Sequence, residues 1–537
     1  MRNPLSTQIG VSRPELPCYD STQTSNGIEN MSRSSGLAIS VISLLLLAGI
    51  MLSAGAWTPN HGLAHPKTTA TAVSTPTPPP KIDSAAVAPA GTVLHVVAKG
   101  ESVPVVVHKY LAQSSFMTRA ELEAALRERN TGIKGIALKP GATLIIPGME
   151  GAITQQPVPV VRGYEVRAIY LTGIMAGSVN GMNLIQRWRA AGGNAVVFDV
   201  KDSDGIVNIP FQHPLNTGGP RPYIPNLPKF TRWLHQQGMH AIARIAIFRD
   251  EKLVTLHPEL AVQSRSRGGA WRENGKLVWT DPSKPEVQQF NIALARQAAL
   301  DGVDEVQFDY VRFPAEGDQR DASFYFETHP LRHATKGADG KPIAAEPTRR
   351  SDVLTDFLAK AYAELHPMKA LFSLDVFGVM AWQRPIDLAH TGQDIAQMAK
   401  HCDVLSPMIY PSHFFGMDGY KIPGDAPEHF ISESMERFKK VTDGTGVVLR
   451  PWLQAFGWKT PSYSPQYVET QVKVAKENGG IGFLFWNARN DYSKPFSAMP
   501  AMKQNPKFFR GDELPKMKRE QEKAAAEKPG APVAVRS

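Results

Sequence analysis

The sequence predicts an α/β protein whose main domain is a (β/α)8 TIM barrel. From residue 164 to about residue 500, apolar strand-like runs alternate with longer amphipathic segments. Repeated strand–helix units favour a parallel sheet, because each crossover returns the chain to the same end of the sheet. We expect eight strands, at residues 166–173, 195–202, 241–248, 303–311, 370–378, 403–411, 447–456 and 481–488. Eight strands in about 330 residues fit a closed barrel with insertions.

Helix-like segments lie between most of these strands, and several of them end in Gly, as helix C-termini prefer. They include "NLIQRWRAAGG", "KFTRWLHQQGM", "EVQQFNIALARQAALDG", "RSDVLTDFLAKAYAEL", "DIAQMAKH", "SMERFKKVTD" and "QYVETQVKVAKENGG". A doubly wound open sheet is the alternative, which is weakened because no GxGxxG follows the first strand. The charged insertion at 315–350 is a lid, a substrate wall or a solvated loop.

A small α+β unit is predicted at residues 93–149. It begins with a strand and a Gly turn in "TVLHVVAKGESV" and ends with a turn and a strand in "IALKPGATLIIPG". Between them, Thr118 and Glu121 form the capping-box pattern at the start of an amphipathic helix. This order resembles a LysM domain, and the resemblance implies binding of N-acetylglucosamine-containing glycans such as peptidoglycan. A spacer domain without a ligand is the alternative.

Residues 37–57 form an uncharged apolar run that suits a transmembrane anchor. The run ends near "SAGA", which is typical of a signal peptidase site, so a cleaved signal peptide is the alternative. Residues 1–36 are then a cytoplasmic segment, or they precede a true start at Met31. Either reading predicts export, with the protein anchored in the inner membrane and facing the periplasm or cell exterior, or secreted.

Low-complexity segments flank the two predicted domains. Residues 58–91 are rich in Pro, Thr and Ala and predict an extended linker. Residues 511–537 form a charged tail that predicts disorder. The chain carries a formal net charge of +9, which suits an anionic partner, but no Arg–aromatic motif indicates nucleic-acid binding.

The stretch "VDEVQFDYVRFP" places polar Glu305, Gln307 and Asp309 on one face of a strand and apolar side chains on the other. In a closed barrel both strand faces are buried, one against the helices and one inside the barrel. Inward-facing residues at the C-terminal strand ends form the barrel mouth, where barrel enzymes place their chemistry. The pattern therefore predicts that Asp309 lies at a functional site.

Other strands repeat this arrangement. "FDVKD" is expected to place Asp199 and Lys201 on one face, with Asp202 at the strand end. A buried carboxylate is costly without a partner, so several of them converging on one rim indicate a site rather than packing. The alternative for Asp309 alone is a structural ion pair with Arg312 or Lys201. The remaining candidates at or next to strand ends are Arg244, Arg312, Asp375, Tyr410, Trp452, Gln454 and Trp486, and all of these except Asp375 are predicted to bind substrate together with Asp199, Lys201 and Asp202.

The chemistry that this set suggests is glycoside hydrolysis, which needs one carboxyl group to protonate the leaving oxygen and a second to attack or to activate water. Asp309 and Asp375, on adjacent predicted strands, are the candidate pair. Aromatic side chains would offer flat faces to sugar rings, and two cationic side chains would tune the carboxylates or bind an anionic sugar: Tyr410, Trp452, Trp486, Lys201 and Arg244. No His-x-x-x-His or CxxC pattern is present, so we expect neither a metal nor a cofactor.

The segments "VRAIYLTG", "NAVVFDVKDSDGIV", "EVQFDYVRFP", "FSLDVFG", "LSPMIYPSHF", "RPWLQAFGW" and "GFLFWNA" resemble the glycoside-hydrolase-like family called domain of unknown function 4015. The resemblance covers about 164–500 and implies a (β/α)8 barrel related to the α-amylase type. By that analogy Asp309 is the nucleophile and Asp375 the general acid. Amylase-like enzymes usually have glutamate as the acid and an arginine two residues before the nucleophile, where this chain has Asp375 and Gln307.

These observations predict an exported glycoside hydrolase that acts on a cell-envelope or extracellular polysaccharide, with the membrane as a second partner through the N-terminal apolar helix. A non-catalytic glycan-binding or envelope-scaffolding protein is the first alternative. A barrel hydrolase of another type, such as a deacetylase or phosphodiesterase, is the second, and chelator-sensitive activity would favour it.

Overall fold

The computed structural model of this chain describes residues 88–149, 158–331, 346–503 and 505–509, together with the two short strands Thr335–Lys336 and Pro342–Ile343. The predicted N-terminal segment, the apolar run at 37–57, most of the linker and the charged tail lie outside the described residues. Within the part of the chain that is described, no helix has the length and hydropathy needed to cross a membrane.

The N-terminal unit has the order strand, helix, helix, strand: β1 (Thr92–Val96), α1 (Val103–Leu111), α2 (Arg119–Arg129) and β2 (Thr143–Pro147). Its two strands pair antiparallel. The capping box predicted for α2 is present, since Glu121 N donates to Thr118 Oγ1 at 3.2 Å and Thr118 N donates to Glu121 Oε2 at 2.9 Å. The predicted strands and helix are confirmed, while the LysM assignment stays a prediction.

The same glutamate joins this unit to the barrel. Glu121 Oε1 accepts hydrogen bonds from Trp233 Nε1 at 2.9 Å and from Gln186 Nε2 at 3.1 Å. Lys229 Nζ donates to the carbonyl of Leu111, the last residue of α1, at 2.6 Å. The N-terminal unit therefore contacts the outer helices of the barrel through specific polar bonds.

The strands of the barrel are β3 (Val166–Leu171), β4 (Ala195–Lys201), β5 (His240–Ala246), β6 (Glu305–Asp309), β7 (Leu371–Phe377), β8 (Val404–Ile409), β9 (Val448–Leu449), β10 (Trp452–Gln454) and β11 (Gly482–Trp486). The helices are α3 (Gly173–Ala176), α4 (Val179–Ala191), α5 (Leu227–Gln236), α6 (Glu251–Leu256), α7 (Pro285–Leu300), α8 (Arg350–Leu365), α9 (Pro385–Thr391), α10 (Ile395–Met398), α11 (Pro427–Val441), α12 (Pro465–Glu477) and α13 (Ser493–Met502). Each of the eight predicted strand positions is occupied by a strand of the sheet.

The sheet closes on itself. Its strands follow the order β7, β6, β5, β4, β3, β11, β10, β8, and β8 pairs with β7 to complete the ring. β9 and β10 are two parts of one barrel position, interrupted near Pro451, which has no amide to donate. All of these pairs are parallel. The predicted (β/α)8 barrel is confirmed, and the open doubly wound sheet is excluded.

The barrel interior is a packed core whose deep layers are partly charged. Glu305 on β6 and Arg450 are both fully buried, and Arg450 Nη1 donates to both carboxylate oxygens at 2.9 and 2.7 Å. His240 Nε2 lies 3.2 Å from Glu305 Oε2. Burial alone would raise the pKa of Glu305, but the charges of Arg450 and His240 hold this pKa at about 2.

We expect Arg450→Met to lower the free energy of unfolding by about 3–5 kcal/mol at pH 7, because it leaves the Glu305 carboxylate buried without its charge partner. The double variant Glu305→Leu/Arg450→Met removes both charges and should recover most of this loss. Urea unfolding of the three proteins measures the difference. Equal stability of single and double variants would contradict a coupled pair.

The same pair predicts acid sensitivity. The pKa of Glu305 is about 2 in the folded protein, below its ordinary value of 4.5, so ionised Glu305 stabilises the fold above pH 4.5. That contribution is lost as the pH falls from about 4.5 towards 2. We expect the acid-dependent part of unfolding in this window to be smaller in the double variant than in the wild-type protein, as urea titrations at pH 7, 4.5 and 3 would measure.

Candidate active site

Asp309 is the last residue of β6 and points into the barrel mouth with only 9% of its side chain exposed. Its Oδ2 accepts from Arg244 Nη2 at 2.7 Å and from Arg244 Nε at 3.1 Å, a two-pronged contact that fixes the carboxylate plane. Its Oδ1 accepts from the amide of Tyr310 at 2.6 Å. Tyr310 adopts φ of 54°, the left-handed region, which turns the chain sharply at the strand end. Asp309 is thus held as a charge-compensated carboxylate.

Asp375 occupies the neighbouring strand β7 in a different environment. It is 1% exposed, and its Oδ1 accepts from Trp452 Nε1 at 2.7 Å, while its Oδ2 has no hydrogen-bond partner among the described residues. Burial raises the pKa of Asp375 well above its ordinary value, and the nearby negative charge of Asp309 raises it further. The two carboxyl groups therefore differ in the way that general acid and nucleophile or base require.

Arg244 on β5 is the centre of the charge network. Besides Asp309, its Nη1 contacts Asp199 Oδ1 at 2.5 Å and Asp202 Oδ1 at 3.2 Å. Its guanidinium carbon lies 5.6 Å from the ring centroid of Tyr170 and 5.4 Å from that of Trp486. One buried cation thus holds three carboxylates at the barrel mouth.

The register explains the unusual Gln307. Arg244 on β5 is the direct neighbour of Gln307 on β6. Gln307 itself donates to Ser406 Oγ at 3.3 Å, on β8. The arginine that contacts Asp309 therefore comes from the adjacent strand β5, and residue 307 contributes an amide instead.

Asp199 on β4 is a buried carboxyl group of this network whose pKa is also raised. Burial raises its pKa to about 7; the Arg244 charge opposes the shift, and the Asp202 charge adds to it. The hydroxyl of Tyr170 donates to Asp199 Oδ2. Asp199 can therefore change its protonation state near neutral pH, so the charge beside Arg244 depends on pH.

Two adjoining cavities lie at the mouth. A small cavity has both Asp309 and Asp375 in its wall. A wider cleft of about 1120 Å³, open to solvent, shares three lining residues with it: Arg312, Phe377 and Met408. The cavity that holds the aspartate pair thus adjoins a solvent-open cleft through three shared lining residues.

Four further predicted residues lie at these cavities or on the charge network. Arg312 lies 4.4 Å over the ring of Trp279 and lines both cavities, and Tyr410 lines the wider cleft. Trp452 is almost fully buried and acts as the hydrogen-bond donor to Asp375 rather than as an open platform. Trp486 stacks on Tyr170 with ring centroids 4.1 Å apart.

Lys201 departs from the predicted arrangement. A register shift between Asp199 and Lys201 interrupts the alternation, so Lys201 pairs with Ile245 of β5 instead of facing the barrel interior. Its ammonium is fully buried and donates to Asp250 Oδ2 at 2.6 Å, against the ring of Phe290. The structure corrects the prediction that Asp199 and Lys201 share a face, and it pairs Asp309 with Arg244 instead of Lys201.

Gln454 lies behind the mouth and lines neither of the two cavities. Its fully buried side chain donates to the carbonyl of Phe456 and to Thr460 Oγ1, both at 2.8 Å, and accepts from the amide of Ser412 at 3.3 Å. It ties together the loops that follow β8 and β10.

Sequence reasoning missed several residues of the site, among them Tyr170, Phe377 and Met408, and also Tyr310 and Gln393, which line the small cavity. Tyr170 lies on the inward face of β3 with Val166 and Ala168, so the period of two along "VRAIYL" could have identified it. Phe377 and Met408 carry no polar group, and no sequence signal separates them from core residues.

In the described part of the chain, no group of three or more His, Cys, Asp or Glu side chains is arranged to hold a metal ion.

Comparison with protein families gives one match to the barrel. The family described as "Putative glycosyl hydrolase domain", domain of unknown function 4015, matches residues 168–492. A search of curated proteins finds no match.

Solved structures give distant matches. A hypothetical protein from Ruminiclostridium thermocellum is 30% identical, with a TM-score of 0.30, and the match covers 39% of this chain and 97% of that one. The glycoside hydrolase domain of PgaB (BpsB) from Bordetella bronchiseptica is 15% identical, with a TM-score of 0.45, over 63% of this chain and 98% of that one. A chitinase from Chromobacterium violaceum is 12% identical, with a TM-score of 0.36, over 62% of this chain and 98% of that one.

Proposed function

This chain belongs to the glycosyl hydrolase family called domain of unknown function 4015, and from that premise we propose that it is an exported glycoside hydrolase that cleaves a cell-envelope or extracellular polysaccharide with Asp309 and Asp375. The observation that carries the proposal is the contrast between the two carboxyl groups at one cavity. Asp309 is compensated by Arg244, whereas Asp375 is buried with a raised pKa and one unbonded oxygen.

The reaction follows from this contrast. Protonated Asp375 donates its proton to the glycosidic oxygen as the bond between that oxygen and the anomeric carbon breaks. The Asp309 carboxylate either removes a proton from the water that attacks the anomeric carbon, or attacks that carbon itself. In the second case the glycosyl ester on Asp309 is then cleaved by water, whose proton returns to Asp375. Arg244 orients Asp309, and Trp452 orients Asp375 through Oδ1, which leaves Oδ2 available for the proton transfer.

The setting of the barrel supports an envelope or extracellular substrate. The apolar segment 37–57 and the linker 58–91 are of the kind that anchor or export a domain and hold it away from a membrane. The unit between β1 and β2, which resembles LysM, would hold peptidoglycan or a related glycan near the barrel, to which Glu121 ties it.

The first test is hydrolysis by the purified full chain. Peptidoglycan, chitin oligomers, α-glucans and acidic exopolysaccharides are incubated with the protein, and new reducing ends are counted. We expect new reducing ends to be released from one of these classes of glycan. No release from any class, with glycan binding retained, would favour the scaffolding alternative, and activity abolished by a chelator would favour a metal-dependent hydrolase.

A further inference from the structure

A cluster at the outer rim of the cleft is not used by the chemistry above. It consists of Phe415, Trp458 and Lys459, and we call it the rim cluster. Trp458 is 41% exposed and Lys459 is also exposed, whereas Phe415 lines the cleft. We propose that the rim cluster binds an acidic sugar residue of a glycan chain whose other end enters the cleft. The part of this proposal that places the glycan in the cleft rests on the proposed function.

The cluster is continuous with the active site. Trp458 follows β10, the strand that carries Trp452, and its ring centroid lies 5.1 Å from that of His413 and 5.7 Å from that of Phe415. His413 and Phe415 line the cleft, and Met408 lines both the cleft and the small cavity that holds the aspartate pair. A chain of sugars lying along this wall would therefore reach from the rim to the reacting bond.

The charge of the cluster selects the ligand class. Lys459 Nζ lies 4.0 Å from the ring centroid of Phe415 and 4.6 Å from that of Trp458, so the two rings hold the ammonium over the rim. None of the described carboxylates forms a salt bridge with it. An exposed indole with an uncompensated cation beside it suits a sugar ring that carries a carboxylate or another anionic group.

The backbone at Lys459 is strained. Lys459 adopts φ of 48°, a conformation that a side chain with Cβ rarely takes. Its carbonyl lies so close to Gly424 that a Cβ there would be 2.2 Å from the oxygen. Thr460 Oγ1 donates to the carbonyl of Trp458 at 3.0 Å and accepts from Gln454. The buried glutamine therefore helps to position the turn at residues 458–460.

The wall between the rim and the aspartates offers little competing charge. Arg384 is paired with Asp387 at 2.5 Å, and Glu273 accepts from Trp279 Nε1 and from the amides of Ala315 and Glu316. These lining charges are satisfied within the protein. The other arginine that lines the cleft, Arg312, lies over the rings of Trp279 and Phe377 and also lines the small cavity, so Lys459 is the cation that the rim itself presents to an anionic group.

The test measures binding without turnover. The purified full chain carrying Asp309→Asn is titrated with polygalacturonate, hyaluronan and teichoic acid as acidic probes, and with dextran and chitin oligomers as neutral ones, at low and moderate salt. We expect at least one acidic polymer to bind at least tenfold more tightly than every neutral one, with an affinity that falls as salt rises.

Two substitutions probe the cluster. Lys459→Asn removes the charge and keeps a residue that tolerates positive φ, and Trp458→Ala removes the indole. We expect each substitution to weaken binding of the acidic polymer by about tenfold or more, and we expect Trp458→Phe to retain part of the affinity that Trp458→Ala loses. Tyr223→Ala, at another exposed aromatic residue, is the control and should not change binding.

The outcomes separate this proposal from the proposed function. Binding of no acidic polymer, equal binding of neutral and acidic polymers, or full affinity of Lys459→Asn overturns the acidic-sugar site. Rim-dependent binding of an acidic polymer that the wild-type chain never cleaves keeps the rim site and overturns the hydrolase. Hydrolysis of a neutral glycan that neither rim variant affects keeps the hydrolase and overturns the rim site.

Discussion

Asp309→Asn is expected to reduce hydrolysis of the natural glycan by about 10³-fold or more, because the amide supplies neither a nucleophile nor a base. Asp375→Asn should cause a similar loss on the same glycan, since the leaving oxygen then has no proton donor. Both substitutions keep the shape of the side chain, so the fold should be retained. Kinetics with the glycan identified by the hydrolysis screen measure both losses.

The two roles can be told apart with an activated substrate. A dinitrophenyl glycoside of the same sugar leaves without protonation, so Asp375→Asn should retain its bond-breaking step on this substrate while Asp309→Asn stays inactive. The wild-type protein should lose activity on the natural glycan as the pH rises and Asp375 loses its proton. Because the pKa of Asp375 is raised, this loss should begin well above the ordinary range of a carboxyl group.

Removal of the Asp309 charge gives an independent check of the coupling. The negative charge of Asp309 raises the pKa of Asp375, so Asp309→Asn should lower that pKa. The shift can be followed in a titration of the Asp375 carboxyl by NMR. An unchanged titration, or full activity of either Asn variant, would contradict the assigned pair.

The fold could be predicted because each strand is buried on both faces and is marked by its composition. "AVVFDVK" and "LFSLDVF" are apolar apart from side chains at the mouth, so the strands and their carboxylates were visible together. Strands that follow one another along the chain then had only to pair as neighbours, and they do so in the barrel. Asp309 and Asp375 follow from this pattern, since inward residues at strand ends must meet at one rim.

The residues that departed from the prediction depend on features that a single strand does not show. The bulge between Asp199 and Lys201 turns Lys201 away from the interior, and its partner Asp250 lies 49 positions further along the chain. The central position of Arg244 depends on the register between β4, β5 and β6. Periodicity predicts which face a side chain takes, whereas register and bulges decide which partner it meets.

Arg244→Met should be among the most damaging single substitutions for both activity and stability. It leaves Asp199 and Asp309 buried, and Asp202 near Asp199, without the cation that they share, so we expect a loss of about 3–5 kcal/mol in the free energy of unfolding at pH 8. Arg244→Lys keeps the charge but cannot make the two-pronged contact to Asp309, so its loss of stability should be smaller while its activity stays low.

The dependence of this loss on pH identifies its cause. The pKa of Asp199 is already raised to about 7, and without Arg244, whose charge opposes that shift, it must rise further. A folded-state pKa above the ordinary value of 3.8 means that stability falls as the pH rises from about 4 through that folded pKa, because only the unfolded state releases the proton freely. The difference in stability between Arg244→Met and the wild-type protein should therefore be small near pH 4 and largest above pH 7. A constant difference at every pH would indicate lost packing around Tyr170 and Trp486 instead of unpaired carboxylates.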